Sequence, residues 1–249
     1  MKPEYLLVLV AIIFLVRVVV TVRARRAAST GRSMTVAKEY LDPFIVAGLT
    51  AWLLITFVAR TYYIPSESMV PTLLVHDVLL VDKISYRVHP PHDGDIAVFP
   101  PPVVTDDDFI KRVMGQPGDK LRIQSGVVYR NGVALIEPYI NNRPTYNLKI
   151  ENYQIYVEDV GEANWQPLDP TQANIPPKSQ WTAPDRIPPH SYFMMGDNRQ
   201  DSEDSHFWGF AQDAGTFATG PRAGAKAGFT GRAFVIFWPL NRATILRRT

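Results

Sequence analysis

Two serines between two prolines are the first residues in this chain whose types and spacing fit chemistry. The run Tyr63-Ile-Pro-Ser-Glu-Ser-Met-Val-Pro-Thr-Leu holds Ser66 and Ser68 between Pro65 and Pro71. Alternate residues of an extended chain share a face, so both hydroxyls can address one reacting carbonyl. A serine hydroxyl is a weak nucleophile until a base takes its proton. The competing reading is a polar linker, since proline and serine also favour turns.

A base is available in Phe109-Ile-Lys-Arg-Val-Met-Gly-Gln-Pro-Gly-Asp-Lys. As a strand, this stretch turns Phe109, Lys111 and Val113 to one side and Ile110, Arg112 and Met114 to the other. Lys111 then lies among apolar side chains. At a pKa of ~10.4, only ~1 in 2,500 lysines is neutral at pH 7. Lowering that to ~8 costs about 3 kcal/mol, which burial away from water can supply. A surface lysine whose stem covers apolar neighbours fits the same residues. A third cluster, Met194-Met-Gly-Asp-Asn-Arg-Gln-Asp-Ser-Glu-Asp-Ser-His-Phe-Trp-Gly-Phe, has the composition of a tight hydrogen-bonded turn. A calcium loop is the alternative, but the alternating-acid-plus-glycine spacing of an EF-hand is missing.

The histidines do not offer a triad base. His76 follows Ser68 too closely in an extended run to fold back onto it, and His89 and His92 bracket two prolines in a loop. Neither His190 nor His206 is placed by its spacing as a partner of Ser68. No cofactor or metal is expected.

The elements that must position these residues follow from hydropathy and composition. Residues 5–22 are apolar except for Arg17, and residues 44–59 carry no charge. Both are near the ~17–25 residues that cross a bilayer core. A cleaved signal peptide fits the first run poorly, because Arg23, Arg25 and Arg26 follow it instead of a small-residue cleavage site. Arg17 lies ~7.5 Å from the end of its run as a helix and can snorkel to the interface. The expectation is two membrane spans. Between them, residues 23–42 carry Arg23, Arg25, Arg26, Arg32 and Lys38 against Glu39 and Asp42, a bias that marks the cytoplasmic side.

Residues 1–60 are thus expected to be a membrane anchor and residues 61–249 an extracytoplasmic domain. Nineteen of the 21 prolines fall after residue 60, about twice the usual ~5% frequency, which excludes a bundle of long helices there. The runs 77–82, 95–99 and 232–238 read as short strands. Asn131-Gly132 supplies the positive φ angles of a two-residue hairpin turn. Residues 141–186 read as an excursion from the main sheet with one strand at 153–160, and the Ala/Gly-rich 211–230 as a mobile loop. The fold class is therefore a membrane-anchored, mostly β protein. A chain with no cysteine has no disulfide or thiolate nucleophile, and a net charge of +2 gives no reason to expect a nucleic-acid partner.

Four segments in this order resemble the bacterial type I signal peptidases, also called leader peptidases. They are Pro65-Ser-Glu-Ser-Met-Val-Pro-Thr-Leu, Gly94-Asp-Ile-Ala-Val-Phe, Ile110-Lys-Arg-Val-Met-Gly-Gln-Pro-Gly-Asp and Gly196-Asp-Asn-Arg-Gln-Asp-Ser. The resemblance covers about 62–124 and 187–210 plus the closing Gly231-Arg-Ala-Phe strand, and is weak over 1–42 and 141–186. It implies a Ser/Lys serine endopeptidase of the inner membrane, with a β-rich catalytic domain on the periplasmic side whose apolar surface rests on the lipid bilayer. The implied substrates are translocated preproteins, whose signal peptides are cut after a small-x-small site. Matched by motif, Ser68 is the nucleophile and Lys111 the general base. The Ser66 hydroxyl and the Ser68 backbone N–H form the oxyanion hole, Ser202 hydrogen-bonds the lysine, and Asp197 and Arg112 form a bracing ion pair.

The sequence departs from the family pattern at His206, where arginine is usual, at Glu67, often glycine, and in the longer 211–230 segment. The His206 departure puts an ion pair with Asp204 in doubt. A self-cleaving repressor shares Ser/Lys chemistry but needs a DNA-binding domain where this chain has two apolar runs. An endoplasmic-reticulum signal peptidase would place histidine at Lys111. A non-enzymatic anchored β domain would keep its function without Ser68.

Overall fold

The computed structural model describes residues 3–26 and 37–248, and the chain divides into two compact units, Met1–Arg60 and Thr61–Thr249. In the first unit the apolar runs are helical. Helix α1 spans Pro3–Arg26. Helix α2 (Asp42–Leu53) is entered and left by the π-helical turns Ala37–Leu41 and Leu54–Val58. The helices meet where α2 has no side chain, because a Cβ on Gly48 would lie 2.5 Å from Val10 Cγ2. One step further, Arg17 Nε donates to Asp42 Oδ1 at 2.7 Å, so α1 and α2 run antiparallel. Arg17, expected to snorkel to the interface, thus has an acidic partner in Asp42. Among the described residues one helix, Glu39–Val58, is long and apolar enough by length and composition to cross a membrane. Half of the expected 23–42 loop, residues 27–36, lies outside the described residues, and the rest ends α1 and leads into α2.

The second unit is built on two antiparallel sheets. The first has the order β1-β2-β13-β3-β4-β11-β12, with β14 beside β13. Its strands are β1 (Ala59–Tyr63), β2 (Val78–Asp82), β3 (Ile96–Phe99), β4 (Phe109–Gly115), β11 (Ser191–Met195), β12 (Ala211–Gln212), β13 (Gly231–Trp238) and β14 (Thr244–Ile245). The three runs read as strands are β2, β3 and β13. The fully buried β3 and β11 are continuous apolar or aromatic stretches, whereas β2 alternates, burying Leu79 and Val81.

The second sheet has the order β10-β9-β8-β5-β6-β7. It contains β5 (Leu121–Gln124), β6 (Val127–Arg130), β7 (Val133–Ala134), β8 (Tyr146–Glu151), β9 (Gln154–Asp159) and β10 (Gln166–Pro167). The hairpin turn lies at Asn131-Gly132, with φ of 53° and 83°, as the sequence led one to expect.

Two segments differ from expectation. Residues 141–186 lie off the first sheet, and the one expected strand is β9, but they supply β8 and β10 as well, so that the segment forms half of the second sheet. Tyr146, Leu148, Ile150, Ile155 and Trp181 from this segment enter one buried core with Phe193 and Phe210. The proline-rich composition hid the alternation of Leu148 and Ile150, which marks the inner face of β8. Residues 211–230 are not a free loop either. Ala211 pairs with Tyr192, Phe217 is 2% exposed, and Phe229 packs its ring against Phe99 and Tyr192. Within the segment Phe217 N–H donates to Ala225 C=O, and Ala227 N–H to Gly215 C=O. Asn174 Oδ1, from the other segment, accepts the backbone N–H groups of Ala218 and Thr219. Two phenylalanines and one buried amide hold a stretch whose composition is otherwise that of a loop.

Candidate active site

Lys111 lies in the middle of β4, which is hydrogen-bonded to β3 on one side and β11 on the other. A residue in that place has little water around it, and Lys111 is 5% exposed. Its Nζ lies 2.7 Å from Ser68 Oγ. Burial pushes the ammonium down to about 8, while the carboxylates of Asp204, Glu203 and Asp197 act in the opposite sense. The Phe109 ring, two residues away on the same face, has its centroid 5.6 Å from Nζ. The lysine is therefore balanced between its two protonation states near pH 8 and is neutral in about one molecule in ten at pH 7.

Ser68 follows β1 in a turn that closes through a Val70 N–H bond to the Glu67 carbonyl at 3.0 Å. Ser66 is exposed, and its Oγ lies 3.3 Å from Ser68 Oγ. The two hydroxyls thus share one face. Among the described residues no histidine hydrogen-bonds Ser68. His76 meets Tyr63, His190 meets Asp213 and His206 meets Asp204.

On the opposite face of β4, Arg112 is fully buried and grips Asp197 with two bonds, Nε to Oδ1 at 2.8 Å and NH2 to Oδ2 at 2.6 Å. A buried pair of this kind is held by its further hydrogen bonds as much as by its charges. Arg112 NH1 donates to the Gly94 carbonyl, the Tyr139 ring lies 3.8 Å from the guanidinium carbon, and Thr72 Oγ1 donates to Asp197 Oδ2. Thr72 belongs to the serine turn, so the ion pair reaches both that turn and the lysine strand. Arg112 and Lys111 point apart, as strand alternation requires.

Ser202 departs from expectation. It is buried beside Gly196, where an added Cβ would lie 2.3 Å from Ser202 Oγ, yet that oxygen has no hydrogen-bond partner among the described residues. The expected bond to Lys111 is therefore not made among the described residues. The doubt over residue 206 resolves in favour of contact: His206 Nδ1 lies 2.5 Å from Asp204 Oδ1, with its ring stacked on Tyr146. Thr72, Tyr139, Gly94 and Asn198 also join the site. Thr72, Gly94 and Asn198 stand in the segments that carry the family resemblance, though none was singled out there, and Tyr139 carried no sequence signal.

The arrangement couples a hydroxyl, a buried amine and a braced turn, the parts of a Ser/Lys hydrolase. The family described as signal peptidase, peptidase S26, matches residues 37–238. The chain belongs to this family. Its relatives include signal peptidase I of Leptolyngbya laminosa, 36% identical over 226 residues, which are 88% of this chain and 88% of that protein. Two proteins of Synechocystis sp. are also similar. Probable signal peptidase I-2 is 37% identical over 77% of this chain and 68% of its own length. Probable signal peptidase I-1 is 39% identical over 70% of this chain and 74% of its own length. The family match takes in the Ser68 turn, β4, the Gly196–Ser202 segment and all of β13, so every residue of the site lies within it.

Proposed function

We propose that this chain is a membrane-bound serine endopeptidase that removes N-terminal signal peptides from translocated preproteins after small-x-small sites. Ser68 is the nucleophile and Lys111 the general base. The observation that carries the reading is the 2.7 Å separation of Lys111 Nζ and Ser68 Oγ, with an amine that burial holds near 8.

In the neutral form, the Nζ lone pair takes the Ser68 hydroxyl proton as Oγ bonds to the scissile carbonyl carbon. The carbonyl oxygen becomes an oxyanion, which the Ser66 hydroxyl and the Ser68 N–H receive. Lysine then returns the proton to the leaving amine, and the acyl-enzyme forms. Water hydrolyses that ester by the same route, with Lys111 as base again. Arg112 and Asp197 keep the serine turn and the lysine strand in register, and Ser202 stands beside Gly196 as a supporting group. Residues 5–22 and 44–59 are read as two spans, with the 23–42 loop on the cytoplasmic side of the bacterial inner membrane and residues 61–249 on the periplasmic side.

The deciding experiment incubates detergent-solubilised protein with a preprotein and maps the cut. Wild type should cleave after a small-x-small site, and Ser68→Ala should not. Equal cleavage by the two proteins would remove the reading.

A further inference from the structure

The structure assigns Asn198 as the residue that aims the Ser68 backbone N–H at the substrate. Asn198 pins the carbonyls on both sides of that serine. Its side-chain Nδ2 donates to the Glu67 carbonyl at 3.2 Å, and its backbone N–H donates to the Ser68 carbonyl at 3.1 Å. A carbonyl only accepts, so the amide must present its nitrogen to Glu67. The opposite end agrees, because Asn198 Oδ1 accepts from Asn142 Nδ2 at 2.7 Å and from Asn141 Nδ2 at 3.3 Å.

The peptide plane turns this contact into a catalytic setting. The Glu67 carbonyl and the Ser68 N–H belong to one rigid trans amide and point in opposite directions. Holding the carbonyl toward Asn198 therefore sends the N–H away from it. Among the described residues that N–H donates to no protein acceptor, so it is left to a ligand. Val70 N–H shares the Glu67 carbonyl, but it lies in the same turn and moves with it. Asn198 is the tie from outside, 131 positions along the chain. Its neighbour Gly196 leaves room for it, since a Cβ there would lie 2.4 Å from the Ser68 carbonyl oxygen.

The assignment rests on the Ser/Lys reading, and the test separates the two. Preprotein cleavage is measured for wild type, Ser68→Ala, Ser66→Ala, Asn198→Ala and the double variant Ser66→Ala/Asn198→Ala, with melting curves for each. Retained cleavage in Ser68→Ala sinks the reading itself. If that control is dead, Asn198→Ala should lose ~10-fold or more in kcat with KM nearly unchanged, the mark of a lost transition-state contact. The rising limb of its pH profile should not move, because Lys111 is untouched. In the Ser66→Ala background the further loss should shrink, since neighbours serving one oxygen are not additive. Asn198→Asp keeps the acceptor for Asn142 and sets a carboxylate against the Glu67 carbonyl, so it should fold and lose more kcat than Asn198→Ala. Full kcat in Asn198→Asp, or a purely additive loss with a shifted limb, would overturn the assignment.

Discussion

At Lys111, the same burial that makes a usable base also sets a cost in stability. The folded protein holds this amine near 8 against an ordinary 10.5, so between those values the unfolded chain binds more protons than the folded one. Stability therefore rises with pH across that window, and the full penalty, up to about 3 kcal/mol, stands below pH 8. Lys111→Met keeps the apolar stem without the charge. It should unfold at higher denaturant than wild type at pH 7, and the difference should shrink as the pH approaches 10.5. The same variant should not cleave, and Lys111→Arg should be equally dead because guanidinium does not deprotonate. In wild type, kcat/KM should climb along a limb centred near 8, far from the ~6.5 of a histidine base. Ser66→Ala removes one oxyanion donor, so kcat should fall ~10²–10³-fold with little change in KM. A limb near 6.5, or full kcat in Ser66→Ala, would break these assignments.

At the scale of elements, what was legible followed period and turn chemistry. The alternation in 109–114 placed Lys111 and Arg112 on opposite faces, and Asn131-Gly132 marked its hairpin. Neither signal needs a distant partner. Strands β8 and β10 in 141–186 and the order of 211–230 were missed for one shared reason: each segment is held by contacts with the other and with the sheets, through Asn174, Phe217 and Phe229. Composition records the prolines and glycines of these segments and not the few anchors. Ser202 failed in another way, and Asn198 was not singled out at all. The sequence brought both to the site, but which backbone group each one faces depends on how β11 and the serine turn meet. The 211–230 segment gives a sharp test. Phe217→Ala should destabilise the domain by ~3–5 kcal/mol, as buried phenylalanine truncations do, read from denaturant midpoints. An unchanged midpoint would return the segment to the status of a loose loop.

For the molecule as a whole, orientation is the property most open to measurement. Five basic residues against two acidic ones in 23–42 set the expected side of the membrane. Protease added outside spheroplasts should degrade residues beyond 60 and spare that loop. A protected C-terminal domain would reverse the topology and exclude the proposed substrates.

One feature of the first sheet also bears on timing. Strand β13, at Gly231–Trp238, does not sit at an edge but between β2 and β3. Lys111 lies on β4, beyond β3, so the sheet that carries it is complete only when β13 has paired with β2 and β3. Sheets closed by such late, sequence-distant pairings form slowly. A chain in which β13 has not yet paired would carry Ser68 and Lys111 already, but on an unfinished sheet. Newly made protein should thus pass through an inert stage and gain proteolytic competence abruptly. That order would protect its own unfinished backbone from a nucleophile armed too soon.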